Sequence, residues 1–177
     1  MELSKAKEIA AGIVAQLAPY CERIEVAGSI RRGRPEVHDI DIVAIPDSTM
    51  AFYKRLDGMG KVTRGEKIIT IALTPRFNAE IYLATMANWA TLLLIRTGSK
   101  DHNIKLCQLA KSKGFQLHAD GSGLEWTRPL VDLFTGSGAP GHSLGVSDIQ
   151  SHPIICNSET DIFNALGLNY KAPGERG

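Results

Sequence analysis

The chain has 177 residues, of which 44% are hydrophobic, and a net charge of +1 at pH 7. This hydrophobic content supports a packed core and excludes a wholly disordered protein, and the length suits one compact domain or two small ones. The net charge gives no support for nucleic-acid binding through overall attraction. Local clusters of arginine and lysine can nevertheless bind phosphate on a nearly neutral protein.

The cysteines and the apolar segments bear on where the protein works. Cys21, Cys107 and Cys156 are odd in number and widely spaced, with no disulfide framework and no zinc spacing to the five histidines. They indicate a reducing setting. The N-terminus lacks the apolar core of a signal peptide, and the longest apolar run, residues 89–95, is too short to cross a bilayer. We therefore expect an intracellular protein, cytoplasmic or nucleoid-associated, without membrane contact.

The first 97 residues mix helix and strand patterns. Apolar residues at helical spacing predict a helix over residues 4–18 capped by Ser4, and Asp47 or Ser48 is expected to cap a short helix ending near Leu56. Apolar, β-branched runs predict four strands. The strands cover residues 24–27, 40–45, 67–73 and 79–84. A turn at Gly28-Ser29 is expected after the first strand.

A subdomain boundary is predicted near Gly98. An apolar helix over residues 89–96 ends there, and a second helix over 99–113 stops at Gly114. A hairpin is predicted over residues 115–126 and a Gly-rich loop over 135–145. A strand follows over 154–156, and then a helix over 158–167 that a capping box opens. The pattern predicts an α+β protein, with a strand-rich unit over 1–97 and a smaller α+β unit over 98–177.

Asp39 and Asp41 are the most informative residues, because they accompany an apolar run that predicts a buried strand. Side chains two positions apart on a strand share a face and lie roughly 6.6 Å apart. That spacing can serve a pair of divalent cations about 3.5–4 Å apart. Buried carboxylates are costly without a positive partner, so this strand favours a metal site.

Glu80 offers a third carboxylate, since it faces away from the apolar residues of its own predicted strand. Three carboxylates suit hard, oxygen-seeking ions such as Mg²⁺. Upstream, the Gly28-Ser29 turn could hold phosphate oxygens, with Arg32 as a fork-shaped donor. Each element alone has a simpler interpretation: a plain turn, a solvated or calcium-binding Asp-x-Asp, or a solvent-facing glutamate. Their order along the chain is much more specific than any one of them.

Several stretches resemble one family. Residues 28–33, Gly-Ser-Ile-Arg-Arg-Gly, with Asp-Ile-Asp at 39–41, resemble the nucleotidyltransferase signature and, more narrowly, the palm of family X DNA polymerases, the DNA polymerase beta group. Residues 95–99 with Asn103 resemble that family's nucleotide-pocket turn, and residues 158–176 resemble its C-terminal tail. The resemblance implies a nucleotidyltransferase-type palm, a mixed sheet with flanking helices, over 1–97. A small α+β thumb would follow over 98–177, in a minimal palm-plus-thumb form.

The resemblance also implies roles for single residues. Asp39 and Asp41 would bridge two Mg²⁺ ions, with Mn²⁺ as an alternative, and Glu80 would complete the site of the metal that activates the primer 3′-hydroxyl. The implied nucleotide ligands are Gly28, Ser29 and Arg32 at the triphosphate, Thr97 and Gly98 at the sugar, and Asn103 at the base. The implied activity is template-directed DNA synthesis in short-gap repair by a monomer, with a DNA primer-template and a deoxynucleoside triphosphate as partners.

Some positions depart from the family pattern. Glu80 stands where most members have aspartate, and Ile95-Arg96 replaces the aromatic pair of the animal repair members. Lys100 and Cys107 replace an acidic residue and an arginine. Two alternatives therefore stay open. One is a nucleotidyltransferase that is template-independent or acts on RNA or protein, and the other is a DNA-binding module with weakened catalysis.

Overall fold

The computed structural model describes residues 1–127 and 151–177. A mixed five-stranded sheet forms its first half, in the order β1-β2-β5-β4-β3. The strands are β1 (Cys21–Val26), β2 (Ile40–Pro46), β3 (Lys61–Arg64), β4 (Ile68–Thr74) and β5 (Phe77–Leu83). The β2 and β5 strands are parallel neighbours, and every other pair of neighbours is antiparallel. The parallel pair lies inside the sheet, between β1 and β4. Both of its faces are covered, as is usual for parallel strands.

Helices cover both faces of this sheet. On one face, α1 (Leu3–Leu17) and α3 (Thr49–Leu56) pack their apolar sides against Ile40, Ile42 and Ile81. On the other face, α4 (Trp89–Thr97) packs Trp89, Leu92 and Leu93 against Val43, Ile45 and Tyr82. A one-turn helix, α2 (Gly28–Arg31), links β1 to the segment before β2. Successive residues of β2 therefore alternate between two buried environments.

The second half is a smaller α+β unit. It contains α5 (Lys100–Ser112), the antiparallel strands β6 (Phe115–Leu117), β7 (Leu124–Trp126) and β8 (His152–Ile154), and α6 (Glu159–Ala165). Its core includes Leu106, Leu117, Trp126 and Phe163, together with Leu94 of α4. The α4 helix thus contributes to both halves, as expected of a helix that is apolar almost all round.

The α+β class is confirmed, and the strand carrying Glu80 lies beside the strand carrying Asp41, as predicted. The hairpin at residues 115–126 and the capping box at Ser158 are also confirmed. The predicted loop at 135–145 lies outside the described residues, and the boundary at Gly98 remains a prediction. In the described part of the chain, every helix is too short or too polar to span a membrane.

Other predictions were wrong in detail. Helix α1 begins at Leu3 with Glu2 as its N-cap, so Ser4 is not the cap. Gly28-Ser29 opens the helix α2 rather than forming a simple turn. The strand predicted at 154–156 is two residues earlier, and β3 was not predicted, because within it only Val62 is an apolar residue. Asp39 lies in a bend before β2 and not on the strand.

Candidate active site

Two of the three predicted acidic ligands meet at the start of the parallel strand pair. Asp41 of β2 is the direct register partner of Glu80 of β5, so both side chains leave the same face of the sheet. The hydroxyl of Tyr82, two residues further along β5, lies 2.5 Å from Glu80 Oε2 and 3.2 Å from Asp41 Oδ1. Glu80 therefore points towards Asp41, and Asp39 stands exposed just before the strand.

These carboxylates repel one another electrostatically. Burial, and then the Asp39 and Glu80 carboxylates, raise the pKa of Asp41 to about 6, although the hydrogen bond from Tyr82 and the charge of Arg96 oppose this shift. Burial, and next the hydrogen bond to Glu80, raise the pKa of Tyr82, so its hydroxyl keeps the proton that it donates. A positive ion near Asp41 would relieve this repulsion.

The donor set fits the predicted cations. All three side chains offer carboxylate oxygens, which are the ligands that Mg²⁺ and Mn²⁺ prefer. Within residues 1–127 and 151–177, however, no three histidine, cysteine, aspartate or glutamate side chains are already drawn together at metal-binding distances. Asp39 is exposed and lies in the bend before the strand that carries Asp41. Asp41 and Glu80 thus lie together, and the assignment of metals to all three residues remains a prediction.

Gly28 brings the predicted phosphate-binding segment against these carboxylates. It is the first residue of α2 and has a φ of +58°, and a Cβ atom at this position would overlap the carboxylate of Asp41. The amide of Ala27 also donates to the carbonyl oxygen of Asp41, at 2.8 Å. Glycine is therefore required here both for the backbone conformation and for the close approach.

Three predicted nucleotide ligands hold buried polar atoms that have no hydrogen-bond partner among the described residues. These atoms are Ser29 Oγ, Arg32 Nε and Asn103 Oδ1. Most buried polar groups in proteins are hydrogen-bonded, so a polar ligand would satisfy what the folded chain does not. Arg32 and Asn103 also line a cavity of about 560 Å³, together with Ile95, Gly98, Lys100 and Ile104. The cavity therefore extends from α2 along one side of α5.

Thr97 and Gly98 join α2 to the start of α5. Thr97 is fully buried, and its hydroxyl accepts a hydrogen bond from Arg31 Nη1 at 2.7 Å while its carbonyl accepts one from Arg32. Gly98 has a φ of +72°, and a Cβ there would lie 2.9 Å from Arg32 Nη1. Asn103 donates through Nδ2 to the carbonyl of Ile95 at 2.8 Å. The contacts of Thr97 and Gly98 with the sugar, and of Asn103 with the base, remain predictions.

Sequence reasoning missed a cluster of charged side chains that includes Arg31, the hydrogen-bond partner of Thr97. Glu159, the first residue of α6, accepts two hydrogen bonds from Arg31, both at 2.9 Å, and one from Arg176 at 2.7 Å. The Arg176 guanidinium lies 5.7 Å from the ring centroid of Phe163 and 5.5 Å from that of Tyr170. Burial would raise the pKa of Glu159, but the two arginines hold it below its usual value. This cluster ties α2 to the C-terminal segment.

Tyr82 and Arg96 were missed as well. The Arg96 guanidinium lies 4.2 Å from the centroid of the Tyr82 ring, at the last turn of α4. The sequence held a signal for Tyr82, because a residue two positions after Glu80 on a strand must share its face. It held little for Glu159, whose place in the capping box already explained an acidic residue at that position.

Comparisons with known proteins agree with the motifs. Residues 92–177 match the family model for the DNA polymerase beta thumb. The DNA polymerase/3′-5′ exonuclease PolX of Bacillus subtilis (strain 168) is 32% identical over 94 residues, which are 50% of this chain but only 16% of that protein.

The fold has a counterpart among solved structures. The crystal structure of Leishmania infantum polymerase beta in a ternary P/T complex matches with a TM-score of 0.74 at 20% identity. This match covers 100% of the present chain and 76% of that one, so the likeness of fold extends through both halves. The thumb match over residues 92–177 and the 32% identity with PolX support a family X DNA polymerase-like protein, and the solved structure shows that the fold is shared.

Proposed function

We propose that the protein is a DNA-directed DNA polymerase that adds a deoxynucleotide to a primer 3′-hydroxyl during short-gap repair. One observation carries this proposal. Asp41 and Glu80 lie side by side on parallel strands, and Gly28 places the predicted phosphate-binding segment directly against Asp41. Because DNA and deoxynucleoside triphosphates are its proposed partners, we further propose an intracellular site of action. We also propose that the enzyme is a monomer.

The proposed reaction is nucleotidyl transfer. The primer 3′-oxygen attacks the α-phosphorus in line, a P–O bond to the primer forms, and the bond to the β-phosphate breaks to release pyrophosphate, while the hydroxyl proton is lost to solvent. Asp39, Asp41 and Glu80 would hold two divalent cations, which when bound lower the pKa of the primer hydroxyl and offset phosphate charge. Ser29 and Arg32 would bind the triphosphate, and Asn103 would lie at the base.

A primer-extension assay on a gapped duplex with Mg²⁺ tests the proposal. We expect incorporation of the templated nucleotide by the wild type, and its loss in Asp41→Asn. The matched control is Asp47→Asn, since Asp47 follows the opposite end of β2 and is exposed. Failure to add the templated nucleotide at any Mg²⁺ or Mn²⁺ concentration would rule out this function.

The same assay separates the two alternatives. Addition of nucleotides to single strands and blunt ends, without regard to a template, would favour a template-independent transferase. A cavity lined by Lys100 and Arg32 beside Ile95 is compatible with it, because cationic side chains bind phosphate without reading a template. Duplex binding without turnover, not rescued by Mn²⁺ or by Glu80→Asp, would favour a DNA-binding module.

A further inference from the structure

Among the described side chains, only Tyr82 has a donor within hydrogen-bond distance of both Glu80 and Asp41. Its ring is held by packing and by a neighbouring arginine. The residue is 6% exposed, and its ring packs in the core formed by Val43, Leu93 and neighbouring residues. On the ring's other side lies the guanidinium of Arg96, 4.2 Å from the ring centroid. A planar guanidinium over an aromatic face is a favourable arrangement. The hydroxyl therefore has little freedom to move away from the carboxylates.

Glu80 needs such a support more than an aspartate would. Its side chain has one more methylene and one more rotatable bond, so its carboxylate can sample positions about a bond length apart. A hydrogen bond of 2.5 Å from the Tyr82 hydroxyl to Oε2 restricts this freedom and turns the carboxylate towards Asp41. An ionised carboxylate has about four acceptor sites, so Oε1 and the remaining lone pairs stay available to a cation.

We propose that Tyr82, itself held by Arg96, is a positioning residue that aims the Glu80 carboxylate at a divalent-cation site beside Asp41. The inference rests on the proposed function only in that this function supplies the cation site. Hydrogen bonds to metal-ligating carboxylates orient them, and loss of such a partner commonly lowers metal affinity about 10- to 100-fold. The Tyr82–Arg96 pair thus accommodates a glutamate at a position where the resemblance leads one to expect aspartate.

The test is Mn²⁺ binding to the full chain, measured by isothermal titration calorimetry without DNA or nucleotide. We expect Tyr82→Phe to weaken binding about tenfold, because phenylalanine keeps the ring beneath Arg96 but lacks the hydroxyl. Arg96→Lys should weaken binding by less, since the hydroxyl remains but the planar stacking is lost. Tyr53→Phe is the matched control. Its ring also lies beneath an arginine, Arg64, with the guanidinium 5.2 Å from the centroid, and binding should not change.

A double-mutant cycle makes the inference specific to Glu80. The shorter side chain of Glu80→Asp ends about a bond length further from the Tyr82 hydroxyl, so removal of the hydroxyl in that background should change Mn²⁺ affinity less than twofold. Circular dichroism melts of each variant establish that the fold is retained. An equal loss in both backgrounds would mean that Tyr82 does not act through Glu80, and would overturn the inference.

Three further outcomes decide the matter. Unchanged affinity in Tyr82→Phe would overturn the positioning role, and tighter binding would show that the hydroxyl competes with the cation instead. Absence of Mn²⁺ binding to the wild type would overturn the site itself. Primer extension at saturating Mn²⁺ keeps the two proposals apart. Weakened binding in Tyr82→Phe with no extension by the wild type would leave the positioning role standing and remove the polymerase.

Discussion

Two groups of charged side chains, one around Asp41 and one around Glu159, are built in opposite ways. Near the start of β2, Asp41 faces two other carboxylates, and burial and their repulsion raise its pKa to about 6. In the C-terminal cluster, Glu159 lies between Arg31 and Arg176, which hold its pKa below the usual value despite burial. The first group has an excess of negative charge that a ligand must balance. In the second, the Glu159 carboxylate is already paired with two guanidinium groups, so it needs no ligand and can hold the two halves of the chain together.

Asp41→Asn gives the largest effect on the unbalanced side. We expect nucleotide incorporation to fall by about 10³-fold or more, because the neutral amide cannot replace the carboxylate that we propose to bridge the two cations. The same change should stabilise the cation-free protein at pH 7.5, by at most about 3 kcal/mol for a pKa raised by two units. Primer extension and urea unfolding in EDTA measure the two effects. A variant that no longer folds would show that Asp41 is structural instead.

Glu159→Gln should act in the opposite direction on stability. It leaves the fully buried Arg176 without a counter-charge and Arg31 with only the exposed Glu25, and removal of one partner of a buried pair costs about 3–5 kcal/mol. The Glu159 side chain is 6% exposed and that of Arg176 is fully buried, so solvent cannot replace the lost carboxylate. Urea unfolding measures the loss.

Glu25→Gln is the matched control for this change. Glu25 lies 3.8 Å from the same arginine, Arg31, but its side chain is 51% exposed. Exposed ion pairs contribute little, so its loss should change stability by less than about 1 kcal/mol. If the two variants are equally stable, the cluster does not hold the halves together and the contrast between the two groups fails.

The pH dependence of stability should show the two groups in separate windows. The pKa of Asp41 is raised on folding, so the folded state binds more protons than the unfolded state between about pH 4 and pH 6, and stability falls as the pH rises through this window. The pKa of Glu159 is lowered, so its contribution is complete above about pH 4.3 and is lost as the pH falls below that value. Urea midpoints in EDTA from pH 3 to pH 7.5 measure both slopes.

A different variant should abolish each of the two pH-dependent changes in stability. Asp41→Asn should remove the loss of stability between pH 4 and pH 6 and leave the loss at lower pH unchanged. Glu159→Gln should reduce only the loss of stability that occurs as the pH falls below about 4.3. A single slope that is altered by both variants would mean that the two groups are electrostatically coupled and do not act independently.

The sequence predicted the carboxylates on β2 and β5 better than the cluster around Glu159, for a physical reason. The alternation of side chains on a strand is local, so the shared face of Glu80 and Tyr82 could be read directly, and the motif order suggested that Glu80's strand lies beside that of Asp41. Asp39 was placed on the strand because its spacing to Asp41 suited one. The chain in fact bends at residues 38–39, and β2 begins only at Ile40.

The charge cluster depends on contacts between residues far apart in the chain. Arg31 and Glu159 are separated by 128 positions, and each had a sufficient local explanation, as part of a basic segment and as a first-turn acid. Arg176 was noticed only as part of a tail motif. Nothing in local periodicity pairs these three residues, so only the fold could reveal that they meet.

The last prediction concerns the fit of Gly28 against Asp41, and Gly33 supplies its control. Both glycines have a positive φ, of 58° and 71°, so alanine at either position carries the same backbone strain of about 1–2 kcal/mol. Only at Gly28 would the added Cβ meet the Asp41 carboxylate, because nothing lies within 4 Å at Gly33. Gly28→Ala should therefore be the less stable variant by urea unfolding, and it should lose incorporation while Gly33→Ala keeps it. Equal losses would show that backbone strain alone matters, and that the close approach of α2 to the carboxylates is not needed for activity.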